Sequence, residues 1–285
     1  MKEAIDFLIK LALAEDIGSG DVTTKAIISR RQKAKAVILA KEKGVIAGLP
    51  VAREVFRQVD KRIKFVPRLR DGKMAKKGQA IAELSGPAAG ILTGERVALN
   101  FLQHLSGIAT LTRKFKSQIL KVKTKVKLLD TRKTIPGMRV LEKYAVKVGG
   151  GVNHRMGLYD AILIKDNHIK LAGGIERAIK AVRDKKALKA MRAIKGIEAE
   201  AKTIAEVIEA IRAGVDRILL DNMRVKTLRE AVKLCRKARV KTEASGGVNL
   251  ENIRAIAGTD VDYISIGALT HSAKALDISL KVVRL

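Results

Sequence analysis

The second half of the chain constrains the fold most, because it repeats a single unit. Short apolar runs recur at 126–129, 161–164, 196–200, 217–220, 240–244 and 263–266, and nearly all of them run directly into polar or charged residues. Stretches with helical spacing, such as 203–213 and 224–237, lie between the later runs. Strand–helix alternation of this kind calls for a parallel sheet with helices packed on it. A doubly wound sheet typically carries its glycine-rich phosphate loop after the first strand. Here the glycines come late, at Gly246-Gly247 and Gly267, as they do in β/α barrels. Six strand candidates rather than eight predict an incomplete barrel.

The first hundred residues read differently, as a mixed α+β unit. Ile5, Leu8, Ile9, Leu11 and Ala12 repeat at helical spacing over 3–14, and Asp16 to Asp21 reads as a turn. Strands are predicted at 36–40 and 44–48, a helix over 50–59 with Pro50 in its first turn, and further strands at 61–69 and 79–84. From Gly94 a long helix begins, with Val97, Leu99, Phe101, Leu102, Leu105 and Ile108 apolar.

A length of 285 residues suits one large domain and a smaller one, and 47% apolar residues provide for a sizeable core. One cysteine, Cys235, excludes an intrachain disulfide. The first residues lack a secretory pattern and no apolar run approaches the roughly 20 residues needed to span a bilayer. A cytoplasmic location is therefore expected. The net charge of +29 points to polyanionic ligands. Nucleic acid is not the expected partner: aromatic residues make up only 3%, Trp is absent, and the lysines are spread along the chain.

In a barrel, side chains at the strand ends converge on one mouth. Those ends supply Arg132, Lys133, Lys165, Glu200 and Asp221, and the loop 149–153 leads into His154 and Arg155. The sum is a cation-rich pocket with two carboxylates, suited to a ligand bearing several carboxylates or phosphates. Taken singly, each residue has an ordinary structural reading. Arg132 and Lys133 fit a charged surface turn, Glu200 and Asp221 fit ion pairs with neighbouring lysines, and His154 fits a satisfied buried histidine. The histidines show no i, i+4 pairing, and Ser245 has no base partner in sequence, so zinc and triad chemistry are not supported. Magnesium held mainly through substrate phosphates remains compatible. The residues alone define an anion-binding barrel enzyme.

Longer motifs narrow this. Ala14-Glu15-Asp16-Ile17-Gly18-Ser19-Gly20-Asp21-Val22-Thr23-Thr24, Gly94-Glu95-Arg96-Val97-Ala98-Leu99-Asn100 and Asp130-Thr131-Arg132-Lys133-Thr134-Ile135-Pro136-Gly137 resemble the quinolinate phosphoribosyltransferases. Gly149-Gly150-Gly151-Val152-Asn153-His154-Arg155, Leu163-Ile164-Lys165-Asp166-Asn167-His168, Leu219-Leu220-Asp221-Asn222 and Glu243-Ala244-Ser245-Gly246-Gly247 do so as well, in order. The resemblance implies an incomplete β/α barrel of the type II phosphoribosyltransferase kind at 103–273. It also implies an N-terminal α+β domain at 1–102, rejoined by a tail at 274–285. It implies that Arg132, Lys133, His154, Arg155 and Lys165, with Thr131, hold a pyridine dicarboxylate. Glu200 and Asp221 would lie near the ribose and Mg2+, directly or through water. Ser245, Gly246, Gly247, Ile266, Gly267 and Ala268 would bind the 5′-phosphate. Lys133, Lys165, Glu200 and Asp221 carry the implied catalytic roles. The family is at least dimeric, and Arg96 occupies the motif that reaches the neighbouring subunit's site. A phosphoribosyltransferase of the same fold acting on another base is the nearest alternative.

Overall fold

The computed structural model describes residues 2–184 and 196–283. One compact unit comprises the described residues of 1–113, 134–150 and 268–285, and a second comprises those of 114–133 and 151–267.

The first unit begins with α1 (Lys2–Ile17) and α2 (Val22–Ile27). Gly18, at φ +52, ends α1, and Asp21 caps α2 by accepting the Thr24 N–H at 2.9 Å. There follow β1 (Lys33–Ala40), β2 (Gly44–Val45), α3 (Leu49–Val59), β3 (Lys64–Pro67), β4 (Met74–Ala75), β5 (Ala80–Pro87) and α4 (Ala88–Leu120), whose last turns belong to the second unit. β1 alternates as a half-buried strand should: Ala34, Ala36, Ile38 and Ala40 are buried, while Lys33 and Lys35 are exposed. It is the centre of an antiparallel sheet that pairs with β5 on one side and, on the other, with the C-terminal strand at Ile278–Val283. The long helix read from Gly94 starts earlier, at Ala88. Glycines inside a helix argue against it, but Gly107 is there because a Cβ would run into the Lys274 carbonyl.

The remaining elements are β6 (Lys127–Leu129), α5 (Arg139–Gly149), β7 (Ile162–Ile164), α6 (Asp166–Ala172), α7 (Ile175–Asp184), β8 (Ile197–Ala201), α8 (Ile204–Arg212), β9 (Arg217–Asp221), α9 (Val225–Lys237), β10 (Lys241–Ser245), α10 (Ile253–Ala257), β11 (Tyr263–Ser265), α11 (Ala268–His271) and β12 (Ile278–Val283). Of these, α5, α11 and β12 belong to the first unit. The six predicted strands are all present, in a six-stranded parallel sheet ordered β6-β11-β10-β9-β8-β7. Each strand from β7 to β11 lies beside its successor, and β11 returns to β6. Such an order winds in one direction, giving a barrel that is open between β6 and β7. Val152 occupies the free side of β6, where it forms a single parallel bridge with Leu129. Ile218 and Ile264, both fully buried, belong to the barrel's apolar packing, each stabilising by about 1.5–3 kcal/mol relative to exposure.

Candidate active site

The cationic side of the site is built where β6 ends. Asp130 is fully buried, and its carboxylate accepts the His154 backbone N–H at 2.9 Å. Val152 N–H donates to the Leu128 carbonyl at 2.8 Å, so the loop after α5 lies along β6 and delivers His154 and Arg155 to the open side of the barrel. The Thr131 hydroxyl accepts the Lys133 N–H at 3.0 Å, which tightens the turn carrying Arg132 and Lys133. The Arg155 guanidinium donates to the Ala161 carbonyl at 3.1 Å. Burial, and then the neighbouring charge of Arg132, push the Arg155 pKa down. Two guanidiniums that crowd each other in this way are relieved by an anion. Lys165, at the end of β7, has an exposed side chain, and its N–H donates to His168 Nδ1 at 3.0 Å.

The acidic side faces the same end of the sheet. Glu200 on β8 is buried, and its carboxyl is pushed above the usual range by that burial and by the charges of Asp221 and Asp166. Lys202 Nζ lies 3.0 Å from Asp166 and 3.7 Å from Glu200. Mutually repelling carboxylates suit a divalent cation. However, among the described residues the group whose ligand atoms approach within 4.8 Å is His154, Glu198 and Glu243, not Glu200 and Asp221. The donor set at Glu200 and Asp221 therefore fits an Mg2+ that takes most of its ligands from phosphate and water.

A glycine loop follows β10. Gly246 and Gly247 adopt φ +89 and +60. A Cβ at Gly246 would strike the Asn222 carboxamide, so the bare backbone is what lets that side chain pack against the loop. Asn222 N–H donates to the Ser245 carbonyl and the Asn252 side chain to the Gly247 carbonyl, each at 2.8 Å. At the end of β11, Ile266 N–H donates to Leu129 at 3.0 Å, bringing Gly267 to the same end of the barrel. Arg96, exposed on α4, and Ala268, at the start of α11, belong to the first unit.

Sequence reasoning missed a layer beneath these residues. His154 Nε2 lies 3.3 Å from Glu198 and 3.4 Å from Glu243, with its side chain only 9% exposed. Arg217 Nη1 reaches the same carboxylates at 3.7 and 3.2 Å and stacks 4.1 Å from the Tyr263 ring centroid. Burial opposes a charge on His154 while the hydrogen bonds to Glu198 and Glu243 favour one and raise its pKa, but Nδ1 accepts the Arg155 N–H at 2.7 Å, so the ring donates from Nε2 as a neutral imidazole. Burial also raises the Glu198 carboxyl, while His154 holds Glu243 ionised against its own burial. Two carboxylates already share the His154 Nε2–H and the Arg217 guanidinium, so this cluster is a closed polar network rather than a metal site. The histidine–carboxylate pairing that no spacing in the sequence shows is made by the fold. The available signal was strand periodicity: Glu198 shares a face with Glu200, Glu243 with Ser245, and Arg217 with Asp221.

A cavity of about 380 Å³ is lined by Lys127, Arg217 and Tyr263 at the strand starts and also by His154, Arg155 and Glu198. Catalytic side chains of β/α barrels project from the strand ends, so the mouth carries the chemistry.

Fold and mouth together define a β/α-barrel enzyme for polyanionic substrates. Two family models match nearly the whole chain: quinolinate phosphoribosyl transferase, N-terminal domain, over 21–106, and its C-terminal domain over 108–281. The chain belongs to the quinolinate phosphoribosyltransferase family. It is 49% identical to the probable nicotinate-nucleotide pyrophosphorylase [carboxylating] of Bacillus subtilis, covering 94% of this chain and 90% of that one. It is 45% identical to quinolinate phosphoribosyltransferase [decarboxylating] 1 of Nicotiana glauca, covering 96% and 81%. The solved nicotinate-nucleotide pyrophosphorylase of Francisella tularensis superposes with a TM-score of 0.92 at 41% identity, covering 99% of this chain and 97% of that one.

Proposed function

We propose that this chain converts quinolinate and phosphoribosyl pyrophosphate to nicotinate mononucleotide, pyrophosphate and carbon dioxide, a step of NAD biosynthesis. The observation that carries this reading is the half-buried pair Arg132 and Arg155, whose neighbouring like charges suit an anionic ligand. The substrates together bring about six or seven negative charges near neutral pH, and gathering them away from water is costly unless cations are already in place.

Arg132 and Arg155 clamp the dicarboxylate with planar, paired contacts. Lys133 and Lys165 add mobile point charges, with Thr131 and His154 completing the pocket. Ser245, Gly246, Gly247, Ile266, Gly267 and Ala268 hold the 5′-phosphate. Glu200 and Asp221 orient the ribose hydroxyls and stabilise positive charge as it develops at C1 when pyrophosphate leaves. The pyridine nitrogen, held in line by the clamp, forms the new bond to C1. The ring then carries a positive charge that stabilises the electron pair left behind when the adjacent carboxylate departs as carbon dioxide, and a proton from solvent takes its place on that carbon. Glu200 and Asp221 would also hold Mg2+, which when bound offsets the charge of the leaving pyrophosphate. Positioning and preorganised charge carry the rate, without a strong general base. Arg96 would act across a homo-oligomer interface, completing a neighbouring subunit's site.

Among the described residues no helix is long and apolar enough to cross a membrane. The test is release of labelled carbon dioxide from carboxyl-labelled quinolinate. Release that requires both phosphoribosyl pyrophosphate and magnesium is expected. Folded protein that releases none would move the substrate to another base on the same fold.

A further inference from the structure

The interior of a β/α barrel is ordinarily filled by layers of branched apolar side chains. Here one layer holds Glu198, Arg217 and Glu243 from three adjacent strands, closed by His154 from the loop beside β6. Burying ion pairs is expensive, and apolar replacements of similar volume are often as stable or more so. Among the described residues the second oxygen of Glu198 is buried with no hydrogen-bond partner, which adds to that cost. A network so costly to stability points to a task, and its geometry shows which one. Glu198 and Glu243 grip one edge of the His154 ring, and at the other edge Nδ1 receives the Arg155 backbone N–H at 2.7 Å. The His154 N–H is at the same time tied to buried Asp130 at 2.9 Å. The ring is thus a strut between the barrel interior and the peptide that carries the Arg155 guanidinium.

We propose that Glu243, with Glu198 and Arg217, is a positioning residue for the pyridine dicarboxylate, fixing Arg155 through the His154 ring without touching substrate. The proposal rests on the reading that Arg155 clamps a pyridine dicarboxylate. Glu243 is fully buried and acts from below the mouth, so its contribution should be selective. The clamp loses geometry when Glu243 loses its charge, while the phosphate loop after β10 keeps its glycine backbone.

The test is a double-mutant cycle of Glu243→Gln and His154→Gln, read by calorimetric binding of pyridine-2,3-dicarboxylate and by KM for each substrate. Glu243→Gln should weaken dicarboxylate binding roughly tenfold and leave KM for phosphoribosyl pyrophosphate within about twofold. In the His154→Gln background it should weaken binding no further, because its route to Arg155 is already cut. Additive losses, or equal losses for both substrates, would overturn the positioning role. If Glu243→Gln does not fold, Glu198→Gln takes its place in the same cycle with the same expectation. Wild-type protein that fails to bind the dicarboxylate would instead sink the functional reading, a result distinct from a wild type that binds and a Glu243→Gln variant that binds equally well.

Discussion

Gly246 shows how a single residue type decides the backbone of a loop. Its φ of +89 is a region that side-chain-bearing residues rarely adopt, and the Asn222 side chain occupies the space a Cβ would need. Gly246→Ala should destabilise the protein by roughly 1–2 kcal/mol from backbone strain. It should also raise KM for phosphoribosyl pyrophosphate at least tenfold, with dicarboxylate binding little changed. Thermal unfolding and separate substrate titrations read the two effects, and unchanged phosphoribosyl pyrophosphate affinity would remove this loop from phosphate recognition. The Gly-Gly pair stands out in the sequence after a strand, where it fits a simple turn as well as a phosphate loop. Glu243 does not, although it stands two residues before Ser245. Its partners are His154, 89 positions earlier, and Arg217 on the neighbouring strand, and only the rolled sheet brings them together.

At the level of elements, the segment between β6 and β7 does the work of missing strands. It places one residue, Val152, in parallel register with Leu129, and below that its order depends on side-chain acceptors. Asp130 receives the His154 N–H, and the Asp160 carboxylate receives the N–H groups of Met156 and Gly157 at 2.7 and 2.9 Å. Asp130→Ala would leave a half-buried N–H without its acceptor, a loss of about 1–3 kcal/mol. It would also free the His154–Arg155 peptide. Urea denaturation should show the lower stability, and dicarboxylate KM should rise several-fold. Asp130→Asn, which keeps a carbonyl oxygen in place, should recover most of both. Equal defects in the two variants would mean that charge rather than the acceptor matters. Among the barrel strands β6, β7 and β9 pair an apolar run with a polar end, whereas β8 and β10 carry glutamates within the strand and are legible through their place in the strand–helix alternation. α2 and α6 are too short to show a period, and α5 follows Pro136-Gly137, which reads as a break. The pairing of β12 with β1 joins opposite ends of the chain, a contact that local periodicity does not encode.

For the whole molecule, the excess of 58 basic over 29 acidic residues has two opposing consequences. The ion pairs of the first unit's surface, such as Arg57–Glu54, Arg62–Asp60 and Arg68–Glu83, are solvent-exposed and contribute little. Most of the basic side chains therefore repel one another through water, which disfavours the compact state. That same field draws polyanionic substrates toward the mouth, where Arg132, Arg155, Lys133 and Lys165 gather. Salt screens both effects, with a Debye length of about 10 Å at 0.1 M, but their signs differ. Raising sodium chloride from about 20 mM to 300 mM should raise Tm by several degrees, given roughly 2–4 °C per kcal/mol for a chain of this size. Over the same range KM for phosphoribosyl pyrophosphate should increase, because the on-rate of a steered anion falls as the field is screened. Differential scanning calorimetry and initial rates across one salt series test both. A falling Tm would show that the ion pairs outweigh the repulsion. A constant KM would confine recognition to short-range contacts in the pocket, leaving the surplus charge no part in substrate capture.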